Sequence, residues 1–271
     1  MSVDAGFVNV AKYIVKKTPI GHLGKSLENL RAVVGEQVMD TDDVKKEIHN
    51  YGENHLSAVN NDVTNSKVVI SPLTKDSQGF YYDQGQKVKF RIGLESGAVE
   101  EAQSTEIHNE LRDVIEQKVK QYLQKCYKME VTRHNVYFDG GANKIVVLIS
   151  VHNLNLKSFW SGEWLSTWEL DVNGKQIKGT LKANTYYYEE GNIQFSLDTK
   201  FNGSASGGNN SAIADSLVEF IKTSENSVQL ELEKVYDELS ENYIKPLRRK
   251  LPITGTKMNW NVNQINLAQN K

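Results

Sequence analysis

"WSGEWLSTWELDVNGKQIKGTLKANTYYYEEGNIQFSLDTKF" spans residues 160–201. Three runs rich in Trp, Thr, Tyr, Ile and Phe are separated by "DVNGK" and "EEGN", which carry the Gly and Asn that tight hairpins need. Just upstream, "NVYFD" and "NKIVVLISVHNL" are two more such runs, with "DGGAN" between them. Five consecutive strands joined this way form an antiparallel meander, because a parallel pair needs a crossover of about a dozen residues or more. Residues four apart on a strand share a face, so Trp160, Trp164 and Trp168 line one side of the sheet. They are read as core beneath a helix rather than as a contact surface for a second chain.

Downstream, "NGSASGGNNS" has the composition of a flexible linker. Ile213, Leu217, Phe220, Ser224, Val228, Leu232, Val235, Leu239, Tyr243 and Leu247 then recur every three or four residues. That stripe is one helix roughly 50 Å long at 1.5 Å per residue. A helix of that length outruns an ordinary core, so it lies across a wide sheet, meets a partner chain, or does both. Pro246 kinks or ends it, because the ring displaces the bond to the carbonyl four residues back.

Upstream of the strands, Phe7, Val10, Ala11, Ile14 and Val15 mark one helix face, which Thr18-Pro19 ends. Leu23, Leu27, Leu30 and Val34 mark a second helix, and Val44, Ile48 and Tyr51 a third, opened by an acidic "DTDD". Short β-type runs follow from about Lys67 ("KVVISPL", "GFYYD", "KVKFRIGL"), then a helix from Thr105 to about Lys128. The fold class is α+β: an N-terminal short-helix bundle, then an antiparallel meander crossed by one long C-terminal helix, then a flexible tail. The expected divisions are 1–62 (helical bundle), 63–104 (small β stalk region), 105–210 (helix plus sheet), 211–257 (long helix and basic cluster) and 258–271 (tail).

The 271 residues are 39 % hydrophobic and 24 % charged, the make-up of a soluble globular protein with a sizeable core. A net charge of −2 excludes nucleic-acid binding by bulk charge. The single Cys126 suits a reducing compartment. "MSVDAGFVNVAKYIVKK" lacks the apolar core of a signal peptide, and no apolar run reaches the roughly 18 residues of a bilayer span. A cytoplasmic protein is expected.

Chemical motifs are weak. Gly24-Lys25-Ser26 ends like a phosphate-binding loop, but a helix precedes it and Pro19 stands where the first glycine belongs, so it reads as an ordinary helix start. The six histidines lack metal-ligand spacing, and with one cysteine neither a zinc site nor another cofactor is expected. Glu189 and Glu190 are adjacent on a strand, point to opposite faces and cannot flank one scissile bond. No nucleophile, base and orienting group form a set, so catalysis is not expected. A hydrolase on the aromatic sheet remains only as a contrast.

Charge is concentrated in "ENYIKPLRRKLPITGTKMNW", residues 241–260, where Lys245, Arg248, Arg249, Lys250 and Lys257 lie with no Asp or Glu from Lys245 to Lys257. Such a cluster attracts an acidic surface, either a protein or the headgroups of anionic lipid.

"FWSGEWLSTWEL", "GTLKANTYYYEEGNIQF" and "LRRKLPITGTKMNW", in this order and spacing, resemble the alpha subunit of the heterodimeric F-actin-capping protein. The likeness covers nearly the whole chain. It implies a beta subunit of the same fold, whose sheet continues this one while each long helix crosses on top. It implies Ca-independent binding to the barbed end of actin filaments in the cytoplasm, blocking subunit addition and loss without catalysis. Carried over by position, actin contacts fall on Lys245, Arg248, Arg249 and Lys257, with Lys250 beside them. Where the family usually has Arg, this chain has Gly255. The tail of the family is an amphipathic helix that docks on actin, a role that falls here on Met258, Trp260, Val262, Ile265 and Leu267. On a helix Met258, Val262 and Ile265 share one face, with Trp260 and Leu267 opposite, and five asparagines between Asn259 and Asn270 favour turns. The cationic cluster is therefore expected to carry more affinity than the tail. Further implied partners are phosphoinositides, myotrophin and CARMIL-type linker proteins. The alternative function is a membrane-surface adaptor that uses the same cluster to bind phosphoinositides.

Overall fold

The computed structural model describes residues 4–61, 65–94, 98–189, 193–238 and 241–242. The chain divides into two compact units, Met1–Ile221 and Lys222–Lys271.

The first unit opens with four helices. Asp4 caps α1 (Ala5–Lys17) by accepting the Gly6 N–H at 2.7 Å. Thr18 closes it, its hydroxyl donating to the Ile14 carbonyl at 2.8 Å before Pro19 forbids continuation. α2 (Leu23–Val34) carries Gly24-Lys25-Ser26 in its first turn, as an ordinary helix start. Gly35, at φ 84°, turns the chain into the single-turn α3 (Glu36–Met39), which the apolar spacing does not reveal. α4 (Asp42–Asn54) has Asp42 and Asp43 in its first turn. Ala11, Val15, Leu30, Val38, Met39, Val44 and Tyr51 form the bundle core. Phe7, Val10 and Ile14, on the α1 stripe, are instead exposed.

Two small antiparallel sheets follow: β1 (Ala58–Asn61) with β2 (Ser66–Val69), then β3 (Tyr81–Asp83), β4 (Val88–Ile92) and β5 (Val99–Ser104). The next helix, α5, is Glu110–Cys126 and does not begin at Thr105. The Thr105 N–H donates to the Lys87 carbonyl at 2.9 Å, which keeps the chain extended. Asn109 then accepts the Arg112 N–H at 2.9 Å as the N-cap.

The meander forms as its turn residues demand. β6 (Thr132–Asp139), β7 (Lys144–Asn155), β8 (Trp160–Asp171), β9 (Gln176–Tyr187) and β10 (Ile193–Ser204) pair in the order β10-β9-β8-β7-β6, every pair antiparallel. On one face Ile145, Val147, Ile149, Trp168, Leu170 and Ile177 pack with Leu111, Ile115 and Val119 of α5 and with Ile213, Ala214, Leu217 and Ile221. On the other, Tyr137, Val146, Leu148 and Leu165 pack with Leu56, Val69, Phe80 and Tyr82.

One register row crosses all five strands: Val136, Val147, Trp168, Gly179 and Phe201. Gly179 is the slot for the Trp168 indole, since a Cβ there would lie 2.1 Å from Trp168 Cζ3. Phe201 stacks on that indole at 5.7 Å, and Phe220 meets it edge-on at 5.8 Å. Trp168 is fully buried, as a core position requires, while Trp160 and Trp164 are half-buried.

The Gly-rich connection after β10 is a tied turn rather than a flexible linker. Ala205 is buried and donates its N–H to the Lys175 carbonyl at 2.7 Å, and Lys175 Nζ donates to the Gly207 carbonyl at 2.7 Å. Asn209 Oδ1 accepts the Ala212 N–H at 2.8 Å and so starts α6 (Asn210–Glu238), the 29-residue long helix.

Candidate functional site

α6 carries the chain toward the cationic cluster. Its first turns bury Ile213, Ala214, Leu217 and Ile221 in the core of the first unit, which anchors the helix. Further along, Leu230, Val235 and Tyr236 are exposed. Lys245, Arg248, Arg249, Lys250 and Lys257 lie outside the described residues, as do Met258, Trp260, Val262, Ile265 and Leu267. So do Leu239, Tyr243 and Leu247 of the helical stripe, Pro246, Gly255 and Glu190.

A second feature is the outer side of β10, which ends the sheet and with which no strand among the described residues pairs. Its exposed residues alternate with half-buried ones: Gln194, Ser196, Asp198, Lys200, Asn202 and Ser204 against Phe195, Leu197, Thr199, Phe201 and Gly203. Lys182 of β9 lies 4.0 Å from Asp198 on the exposed face.

Two polar joints tie the parts of the first unit together. Glu163 of β8 is buried and accepts from His55 Nδ1 at 2.7 Å and from Asn184 Nδ2 at 2.6 Å. His152 Nε2 donates to the His55 carbonyl at 2.8 Å, 3.7 Å from the same carboxylate. Burial holds the His152 imidazole below the usual histidine range. In the second joint Glu53 accepts from Tyr81 Oη and, at 3.1 Å, from Lys75 Nζ. His49 Nε2 lies 2.6 Å from the Tyr81 hydroxyl oxygen. Burial alone would raise the Glu53 carboxyl, but hydrogen bonds from His49, Tyr81 and Lys75 and the Lys75 charge bring it down to about 2. Burial first, and then the Glu53 carboxylate, raise the Tyr81 phenol. Both shifts describe an ionised carboxylate held by a protonated phenol.

A cleft of about 280 Å³ lies beside the first joint, with Lys16, Lys17, Ser161, Gln194 and Ser196 in its walls. The Glu163 oxygens facing it are already taken by His55 and Asn184, so they hold elements in place. Sequence spacing could not show either joint, because His55 and Glu163 are 108 positions apart and Glu53 and Tyr81 are 28 apart. The free strand was visible in principle, as the alternation of Phe195, Leu197 and Phe201 with polar neighbours.

A sequence profile described as the F-actin capping protein alpha subunit matches residues 11–270. The chain belongs to that family. Among its members, the alpha subunit of Neurospora crassa is 25 % identical over 259 residues, covering 94 % of this chain and 93 % of the relative. That of Saccharomyces cerevisiae is 25 % identical, covering 94 % and 92 %, and that of Debaryomyces hansenii 26 %, covering 96 % and 94 %. In fold, the chain is similar to the homodimeric actin capping protein alpha subunit of Plasmodium berghei, with a TM-score of 0.74 at 20 % identity over 90 % of this chain and 96 % of that one. None of the described residues forms a helix long and apolar enough to cross a membrane.

Proposed function

We propose that this chain is the alpha subunit of a cytoplasmic two-chain cap. It binds the barbed end of actin filaments, independently of Ca²⁺, and blocks subunit addition and loss without catalysis. The observation that carries the reading is the family match across residues 11–270. A partner is supported by the free side of β10, since a sheet edge that long is a pairing template unless something covers it. It is also supported by the exposed apolar residues Phe7, Val10 and Ile14 along α1. That partner is a beta-type subunit. The solved relative from Plasmodium berghei is described as homodimeric.

In this reading Lys245, Arg248, Arg249, Lys250 and Lys257 meet acidic actin surface, and Met258, Trp260, Val262, Ile265 and Leu267 of the tail add apolar contact. Phosphoinositide headgroups compete for the same cations, and regulators of the myotrophin and CARMIL types act on the assembled cap. Elongation of fluorescent actin from seeded barbed ends tests the reading. The wild-type assembly should stop growth. Arg248→Glu/Arg249→Glu should weaken capping at least about tenfold while the melting temperature stays within about 2 °C, because exposed charges contribute about 1 kcal/mol or less to stability. Unchanged capping by the double variant would remove the assignment of this cluster.

A further inference from the structure

We infer that the cleft between the end of α1 and the meander is a binding site for a small soluble phosphomonoester. Its phosphate meets Lys16 and Lys17, and its hydroxylated body lies over β8, β9 and β10. The inference stands apart from the actin reading, because none of these residues belongs to the C-terminal cluster or the tail.

The sheet register builds the floor. Ser161 of β8 faces Tyr186 of β9, which faces Gln194 of β10. In the next row Glu163 faces Asn184, which faces Ser196. Both rows share the face on which Leu165 packs with Leu56. Tyr186 is held by stacking on Tyr188 at 5.1 Å and by the edge-on His22 ring at 5.6 Å, so the floor is preformed. The opposite wall is the last turn of α1, which brings Lys16 and Lys17.

Ser161 is fully buried, yet its hydroxyl has no hydrogen-bond partner. Buried hydroxyls are nearly always satisfied, so this one calls for a partner from outside the chain. Lys16 and Lys17 are both exposed, and neither forms an ion pair among the described residues. The one carboxylate among the described lining residues is Glu163. Its side chain is 1 % exposed and already accepts from His55 and Asn184. Two unpaired ammonium groups thus stand against one enclosed carboxylate, and the cleft favours an anion. At about 280 Å³ it is larger than a bare phosphate and close to the lower bound of small-molecule pockets, about 300 Å³. A phosphomonoester carries a charge of about −1.5 to −2 at pH 7, which suits the two lysines. Hydroxyl groups on its body suit the polar side chains of Ser161, Gln194 and Ser196.

Calorimetry on the purified assembly tests the site with three probes. Glucose 6-phosphate should bind with a dissociation constant below about 1 mM, and glucose should not bind at about 10 mM. Inorganic phosphate, which lacks the body, should bind about tenfold more weakly than glucose 6-phosphate. Lys16→Ala/Lys17→Ala should weaken glucose 6-phosphate at least about tenfold. Lys125→Ala, on α5, and Arg248→Glu/Arg249→Glu, in the C-terminal cluster, should leave its affinity within about twofold. Ser161→Ala should weaken it about fivefold or more without lowering the melting temperature of the ligand-free protein, because the hydroxyl removed has no partner there. Glucose 6-phosphate should raise the melting temperature of the wild type and leave that of Lys16→Ala/Lys17→Ala unchanged.

A wild-type protein that binds neither phosphate probe overturns the inference, and so does a ligand-free Ser161→Ala protein that melts earlier, since water then serves the hydroxyl. Binding that survives Lys16→Ala/Lys17→Ala, or that is lost in Arg248→Glu/Arg249→Glu, places the phosphate elsewhere and overturns it too. Phosphatidylcholine vesicles carrying phosphatidylinositol 4-phosphate present the same group on a lipid. Binding that needs Lys16 and Lys17 on those vesicles, with none to glucose 6-phosphate, would replace the soluble ligand by a headgroup.

Discussion

Gly179 and Trp168 fix the middle of the sheet between them. The three tryptophans could be placed on one face from their spacing alone, but only the register shows that the Trp168 indole lies over a glycine on the next strand. Spacing along one strand says nothing about which residue on its neighbour must be small. With a Cβ at Gly179 2.1 Å from the indole and Phe201 and Phe220 closing the other sides, Trp168 has nowhere to move. Gly179→Ala should therefore destabilise by about 2–3 kcal/mol, at the upper end of overpacking. Trp168→Ala should cost about 3–5 kcal/mol through the cavity it leaves. In the Trp168→Ala background the added methyl should be nearly free, because its clash partner is gone. A double-mutant cycle by urea unfolding measures the coupling. Additive effects would show that the indole is not held by the slot.

At the scale of elements, local chemistry was legible where a single residue type decides. The hairpins of the meander, the stop at Thr18-Pro19 and the run of α6 derive from Gly, Asn, Pro and apolar period. Two boundaries depended on distant contacts. Thr105 and Ile107 fit a helical period, yet a bond to Lys87 keeps Thr105 extended until Asn109 caps α5. The segment after β10 has linker composition, yet Lys175 from another hairpin ties it at Gly207. Beyond α6, nearly all of the charge lies upstream of residue 258. The cations proposed to steer encounter lie at or before Lys257, whereas the last segment, residues 258–271, carries one charged side chain, Lys271, with Met258, Trp260, Val262, Ile265 and Leu267. Apolar area acts only after contact, by leaving water. Deleting 258–271 should raise the departure rate of caps from filament ends, leave the arrival rate within about twofold, and cost less affinity than the Arg248/Arg249 reversal. Single-filament imaging of arrival and departure measures both. A truncation that mainly slows arrival would reverse this ranking of cluster over tail.

For the whole molecule, the fold class was readable because each level of the sequence agreed with the next, but the ties between the helical bundle, the small sheets and the meander were not. They are made by buried His, Glu and Tyr from remote positions, and they govern the response to acid. Burial holds His22, His134 and His152 below their unfolded value of 6.5. For such groups the unfolded chain binds more protons as pH falls below 6.5, so stability drops in that range. Glu53 acts in a lower window: its carboxyl sits at about 2 against 4.5 unfolded. The stability it contributes is fully present above 4.5, declines as pH falls below that value, and is gone below about 2. It amounts to at most roughly 3 kcal/mol. Melting temperatures of the purified assembly should therefore fall from pH 7 to 5 and fall again from pH 4.5 toward 3. His152→Gln should flatten the first decline. Glu53→Gln should lower the melting temperature at pH 7 and flatten the second, because the amide cannot be protonated in that range. If Glu53→Gln keeps the full slope below pH 4.5, the carboxylate bridging Tyr81 and Lys75 is not what acid breaks, and the joint between α4 and β3 must be held by packing alone.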